Sequence, residues 1–302
     1  MKDDLEKILT LITVVIFIAF FVIGLFIFKD YGVTVDEPFE RKTGLVNLKF
    51  ILSDLLHKPL SDELSDIPAL KCYEDQDYGV ILQFPTVLFE YFSSFKHDTN
   101  SIYKLRHLWT FLNFYISLIC FNLLLYQRFR NRLISLIGTL FLIISPRIFA
   151  DAFYNIKDLM FLSWFIIGLF FLYRYIHHPT KRNCLILAIV IALASNTRII
   201  GFILLIAASV SLLDAFYRKK INRKDLFING IILIGLNIFL WFLFLPASWE
   251  NPFTFLLNTL HHFSKYDLST QELYLGKFVP SLNPPWHYLP VWIFISTPIF
   301  YT

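Results

Sequence analysis

Residues 184–216 read CLILAIVIALASNTRIIGFILLIAASVSLLDAF. As a helix rising 1.5 Å per residue, this stretch is nearly twice as long as the ~30 Å hydrocarbon core of a bilayer is thick. Its central polar break is Ser195-Asn196-Thr197-Arg198, which predicts two helices joined by a tight turn. Working outward, further apolar runs lie at 8–28, 108–126, 133–144, 159–172 and 227–245, and a last one reaches Thr302. The chain of 302 residues is 56% hydrophobic and 18% aromatic, with a mean hydropathy of +0.59, too apolar for a soluble domain of this length. The expected fold is an all-α integral membrane protein, a polytopic bundle of about eight transmembrane helices forming a single domain over 1–302. The first run is too long for the apolar core of a signal peptide and lacks a small-residue cleavage site, so it reads as a retained helix. The last run stops without a tail or basic anchor, which reads as a chain truncated at its C-terminus.

The distribution of charge says more than the net value of +4. The links at 127–132, 173–182 and 217–225 carry three, three and five Lys or Arg. By the excess of basic residues in cytoplasmic loops, these links and the amino terminus face the cytoplasm. The opposite face then receives a long first loop, 29–106, with short amphipathic pieces such as 45–56, and the segments 145–158, 196–198 and 246–287. No basic tract interleaves with aromatics, which argues against a nucleic-acid partner. Cys72, Cys120 and Cys184 have no metal-ligand spacing and form no disulfide framework; they read as buried thiols.

Ionisable groups that are not cytoplasmic anchors gather on that outer face. Asp36 and Glu37, in Thr34-Val35-Asp36-Glu37-Pro38, follow the first helix closely. There a carboxylate can act as a general base or hold a divalent cation; by spacing alone the pair, a common one, reads rather as an exposed turn broken by Pro38. The link between the third and fourth runs carries Arg147, Asp151, Asn155, Lys157 and Asp158 among aromatics. Charges at such depth usually face a protein interior or a water-filled cavity, although Lys157 and Arg147 can also snorkel to lipid head groups. Arg198 sits at an outer turn between apolar helices, and its planar fork suits a phosphate. Trp286 and His287 belong to the last outer segment, with His261 and His262. Adjacent histidines do not share a helix face, so this group reads as an interfacial or acceptor-side surface rather than a metal centre.

The order of these motifs resembles the GT-C superfamily of multi-spanning glycosyltransferases, in particular its protein mannosyltransferase and aminoarabinose transferase branch. The acidic pair after the first helix is Asp36-Glu37 within Val35-Asp36-Glu37-Pro38. The acid-bearing second outer loop is similar to 145–158. The stretch 283–292, Asn-Pro-Pro-Trp-His-Tyr-Leu-Pro-Val-Trp, is similar to the Pro-Trp-Tyr-Tyr segment entering a later helix. The resemblance implies a polyprenyl-phosphate sugar donor, a protein, lipid or glycan acceptor on the extracytoplasmic side, and inversion at the sugar carbon. On that reading Asp36, with Glu37, is catalytic. Arg198 and Lys157 stabilise the leaving phosphate. Glu37, Asp151 and Asp158 orient the sugar, the cations or an optional Mg or Mn ion, for which Asp36 and Asp151 are the candidate ligands. Family members usually run longer than 302 residues. The alternative from another class is a transporter or flippase of a lipid-linked sugar, although no internal repeat of the kind such proteins carry is visible. Abundant Phe, Ile, Lys and Asn with only 10 Gly suggest an AT-rich, bacterial source, and hence the inner membrane.

Overall fold

The computed structural model describes residues 2–60, 62–93, 98–264 and 270–301. It is 75% helical, and the described chain divides into two compact units, Met1–Glu250 and Asn251–Thr302.

The first unit runs α1 (Lys2–Ile27), α2 (Asp36–Phe50), the short α3 (Asp62–Ser65), α4 (Phe84–Phe92), α5 (Thr99–Phe129), α6 (Arg132–Ile144), α7 (Pro146–Tyr154), α8 (Asp158–His177), α9 (Lys181–Thr197), α10 (Phe202–Tyr217), α11 (Arg223–Gly230) and α12 (Asn237–Leu243). A π-helical segment, Ile231–Leu236, joins α11 to α12. Among the described residues, five helical stretches are long and apolar enough to cross a membrane: Asp4–Ile27, Thr99–Phe129, Asp158–His177, Ile199–Tyr217 and Arg223–Leu243. A sixth crossing arises if α6 and α7, bent by 66°, form one broken span. The protein is therefore a helical membrane protein. Its lipid-facing character is plain on α1, where Leu11, Val15, Ile18 and Phe26 are all exposed.

The turn expected within 184–216 is present: α9 ends at Thr197, and a 3-10 turn, Ile199–Gly201, leads into α10. The link at 145–158, expected as a polar connection, is instead mostly α7. Pro146 stands at its first position, where the missing N–H costs nothing and the fixed φ favours a helix, so the proline starts a helix as well as ending one. The first turns of α5 are polar, so it begins at Thr99, and Arg106 and His107 lie inside a helix rather than at the end of a loop.

Packing is built around α5, α8 and α9. One apolar core joins α1, α5 and α7 through Phe20, Phe111, Phe114 and Phe153. Gly24 lets α1 approach closely, since a Cβ there would lie 2.0 Å from the Phe111 ring. A second core joins α8, α9 and α10 through Tyr175, Leu187, Ile191, Leu204 and Ala208. In lipid the apolar effect between helices is weak, so packing and polar cross-links matter more. Asn122 Nδ2 donates from α5 to Ser135 O (3.2 Å) and Thr139 Oγ1 (3.1 Å) on α6. Asn237 Nδ2 donates from α12 to Ala188 O on α9 at 3.1 Å. The three cysteines are free; Cys184 is buried and Cys120 half-buried, but Cys72 is exposed, because it lies in a short 3-10 turn of the first loop and not in an apolar run.

The second unit contains α13 (Pro252–Ser264), an antiparallel hairpin of β1 (Gln271–Tyr274) and β2 (Lys277–Pro280), and α14 (Tyr288–Ser296). The hairpin turns at Leu275 (φ 48) and Gly276 (φ 78), the two positive φ values that a two-residue turn needs to match strand twist. At nine residues, α14 covers roughly 13 Å, less than a bilayer core, and a 3-10 turn, Ile299–Tyr301, follows.

Candidate functional site

Asp36 and Glu37 form the first turn of α2, where carboxylates complement the positive end of the helix dipole. Helical geometry separates the two. Glu37 is fully buried. Its Oε2 accepts from the Thr34 backbone N–H (2.8 Å) and the Thr34 hydroxyl (3.3 Å), and its Oε1 lies 2.9 Å from His107 Nε2 on α5. The other imidazole nitrogen, Nδ1, is 3.2 Å from Phe28 O, just past α1. Glu37 thus ties the exit of α1 and the start of α2 to α5. Asp36 is exposed, and no hydrogen bond or ion pair engages it among the described residues.

One turn further along α2, Glu40 and Arg41 enter two more pairings. Glu40, 6% exposed, meets Lys157 Nζ at 2.6 Å, and the same ammonium lies 3.8 Å from the centre of the Tyr78 ring. Arg41 Nε donates to Glu90 Oε1 of α4 at 2.9 Å. Burial works against the Arg41 charge, but the hydrogen bond and negative charge of Glu90 outweigh it and hold the guanidinium pKa above its ordinary value. The second Glu90 oxygen lies 3.8 Å from Arg106 Nη2. Arg106 is completely buried, and none of its three guanidinium nitrogens has a hydrogen-bond partner. Three buried carboxylates, Glu37, Glu40 and Glu90, therefore face Arg41, Arg106, Lys157 and His107, with Asp36 as the exposed additional acid.

The remaining wall comes from the ends of α7, α8 and α9. Arg147 Nε stands 3.8 Å from Asp151, with the arginine largely exposed. Asn155 Oδ1 accepts the Asp158 N–H at 2.8 Å, so this amide ties down the first turn of α8. Asp158 pairs with Arg198. The first loop is clamped to this wall and to α5: Gln83 Nε2 donates to Ile156 O (2.6 Å), Ile81 N to Asn196 Oδ1 (3.2 Å), and Trp109 Nε1 of α5 to Leu82 O (2.6 Å). Gly79 rests directly on Asn196, where an added Cβ would lie 1.9 Å from the Asn196 carbonyl oxygen. Backbone cannot yield as a side chain can. Gly79→Ala should lower stability by about 1–3 kcal/mol and open residues 74–83 to protease, measured by thermal unfolding in detergent and limited proteolysis. An unchanged digestion pattern would show that the clamp is not tight.

Of the residues singled out in the sequence, Lys157, Asp158 and Arg198 join Glu40 of α2 through two adjacent ion pairs, Glu37 stands one turn earlier on α2 against His107, and Asp36 enters none of these contacts. Asp151 and Arg147 pair on α7. Trp286 and His287 lie in the second unit, where Trp286 is 88% exposed and His287 Nδ1 is hydrogen-bonded to the Tyr274 hydroxyl. Among the described residues no three His, Cys, Asp or Glu side chains converge as a metal-binding group, Asp36 and Asp151 included. Sequence reasoning missed Glu40, Arg41, Glu90, Arg106 and His107. A usable signal existed for the last two: Arg106-His107 directly precedes an apolar run, where ionisable groups are costly without a partner. Comparison with protein-family models, curated proteins and solved structures yields no match.

Proposed function

We propose that this chain is a membrane-embedded glycosyltransferase that moves a sugar from a polyprenyl-phosphate donor to an acceptor hydroxyl at the membrane boundary, with Asp36 as general base. The observation that supports this reading best is the division of labour within the acidic pair. Glu37 is buried, with one oxygen bonded to Thr34 and the other beside His107, whereas the adjacent Asp36 carboxylate is exposed, with no hydrogen bond or ion pair among the described residues. The acceptor O–H gives its proton to Asp36, and the oxygen attacks the anomeric carbon from the face opposite the phosphate. The bond from that carbon to the phosphate oxygen breaks, its electron pair leaves on the polyprenyl phosphate, and the configuration inverts.

The leaving phosphate needs cations, and Arg198 and Lys157 fill that role in this reading. Each is already held by a carboxylate, Asp158 and Glu40, so the donor phosphate exchanges for a resident anion. Removing the resident charge at the exposed pair should favour the donor. Asp158→Asn is expected to lower the KM for donor several-fold with kcat little changed, and Arg198→Gln to raise it; equal KM values in both variants would remove Arg198 from the donor site.

The same reading places the amino terminus in the cytoplasm of a bacterial inner membrane and the site outside. It counts α6–α7, the 17-residue α9 and the last apolar run as further crossings, eight in all. No step requires a metal ion. The test is reconstitution with radiolabelled polyprenyl-phosphate sugar and hydroxyl acceptors: the wild type should transfer label, and Asp36→Asn should not. Lipid-linked sugar that crosses the bilayer equally well in Asp36→Asn, with no label transferred by either protein, would instead favour a flippase.

A further inference from the structure

At the end of α1 remote from Asp36, a groove of about 530 Å³ opens between α1 and the start of α6, lined by Glu6, Lys7, Thr10, Leu11, Val14 and Arg132. Its local chemistry is built, not incidental. Arg130 adopts a left-handed conformation (φ 51), which turns the chain back on itself after α5. Asn131 Oδ1 then accepts the Leu133 and Ile134 N–H groups (2.8 and 3.2 Å), fixing where α6 begins. The Arg132 guanidinium packs 3.6 Å from the centre of the Tyr126 ring. Stacking holds the fork by its face and leaves the N–H groups on its edge to bind an anion. Neither Lys7 nor Arg132 has a carboxylate partner among the described residues, although Glu6 lines the same groove. Beyond Lys7, Arg132, Glu6 and Thr10 the wall is apolar, with Leu11 64% and Val14 49% exposed.

We propose that this groove holds one anionic glycerophospholipid, with its phosphodiester on Lys7 and Arg132 and an acyl chain along Leu11 and Val14. A soluble anion would leave the apolar wall uncovered, and an uncharged lipid would leave two cations unanswered. Glu6 opposes a second negative charge on the phosphate, which selects a singly charged phosphodiester over a phosphomonoester. Arg128 and Arg130 on the adjoining turn add positive potential, which favours a net-anionic head group over a zwitterionic one.

The full-length protein in mild detergent, titrated with phosphatidylglycerol, phosphatidylcholine or inorganic phosphate and read by native mass spectrometry, tests this. Wild type should retain one phosphatidylglycerol in preference to phosphatidylcholine. Lys7→Gln/Arg132→Gln should weaken that retention by roughly tenfold or more. Lys219→Gln/Lys220→Gln, which removes the same charge outside the groove, should leave it unchanged. Val14→Trp should displace the lipid by filling the apolar wall with both cations intact, which separates lipid loss from charge loss. The proposal is overturned if Lys7→Gln/Arg132→Gln retains phosphatidylglycerol like wild type, if the control variant loses it equally, or if inorganic phosphate binds as well as the lipid.

Discussion

On the proposed transferase reading, Asp36→Asn should leave a folded protein whose sugar transfer is reduced by about two to four orders of magnitude, the range that a positioned general base contributes. The fold should tolerate the change because Asp36 is exposed and makes no side-chain hydrogen bond or ion pair among the described residues. Its structural contribution is confined to the helix dipole, at about 0.3–1 kcal/mol. Asparagine keeps the shape and removes only the ability to take a proton. Glu37→Gln should behave differently, because its buried carboxylate holds Thr34 and His107. Loss of that charge should lower stability and activity together. The measurement is single-turnover transfer beside thermal unfolding for both variants. Transfer that survives in Asp36→Asn, with a silent but fully stable Glu37→Gln, would reverse the assignment within the pair.

The five long spanning segments are legible because the bilayer imposes a length on apolar runs, and that length survives without any knowledge of packing. The turn after Thr197 is legible for the same reason, since a 33-residue apolar stretch must double back. The starts of helices were harder to see. The first turns of α5 carry Asn100, Lys104, Arg106 and His107, and a hydropathy pattern cannot distinguish a polar loop from a helix whose polar residues face protein. The segment 145–158 differs for a related reason: it reads as a polar link, yet Pro146 begins the helix α7 within it. Asp36 and Glu37 were visible as a pair, but their separation into a free and a buried carboxylate depends on His107, 70 residues away. The Arg41–Glu90 pair spans 49 residues and has no periodic signature at all. Contacts of that kind are set by how the first loop folds back on α5, which local pattern does not encode.

Glu90→Gln should destabilise the protein by about 3–5 kcal/mol, the usual cost of removing one partner from a buried ion pair. Glu90 is the anion shared by Arg41 and Arg106, with side-chain exposures of 5%, 25% and 0% respectively. Neutralising it leaves two guanidinium groups close together without their common counter-charge. Removing Arg106 is a different event, because Glu90 keeps its 2.9 Å hydrogen bond from Arg41. The Arg106 nitrogens also have no hydrogen bonds to lose, so Arg106→Met, which fills the same space without charge, should be close to neutral in stability. Combining the two changes should recover much of the loss seen in Glu90→Gln alone, since only one unpaired cation then remains. A double-mutant cycle by chemical or thermal unfolding in detergent measures this coupling. An Arg106→Met variant as unstable as Glu90→Gln would mean that Arg106 has a counter-charge other than Glu90, with Glu37, whose charge also acts on it, the residue to substitute next. A stable Arg106→Met that has lost transfer would instead show why a desolvated arginine is retained there. It would be holding the Glu37 end of the acidic pair, and through it the direction of Asp36, at the expense of a core that packs equally well without it.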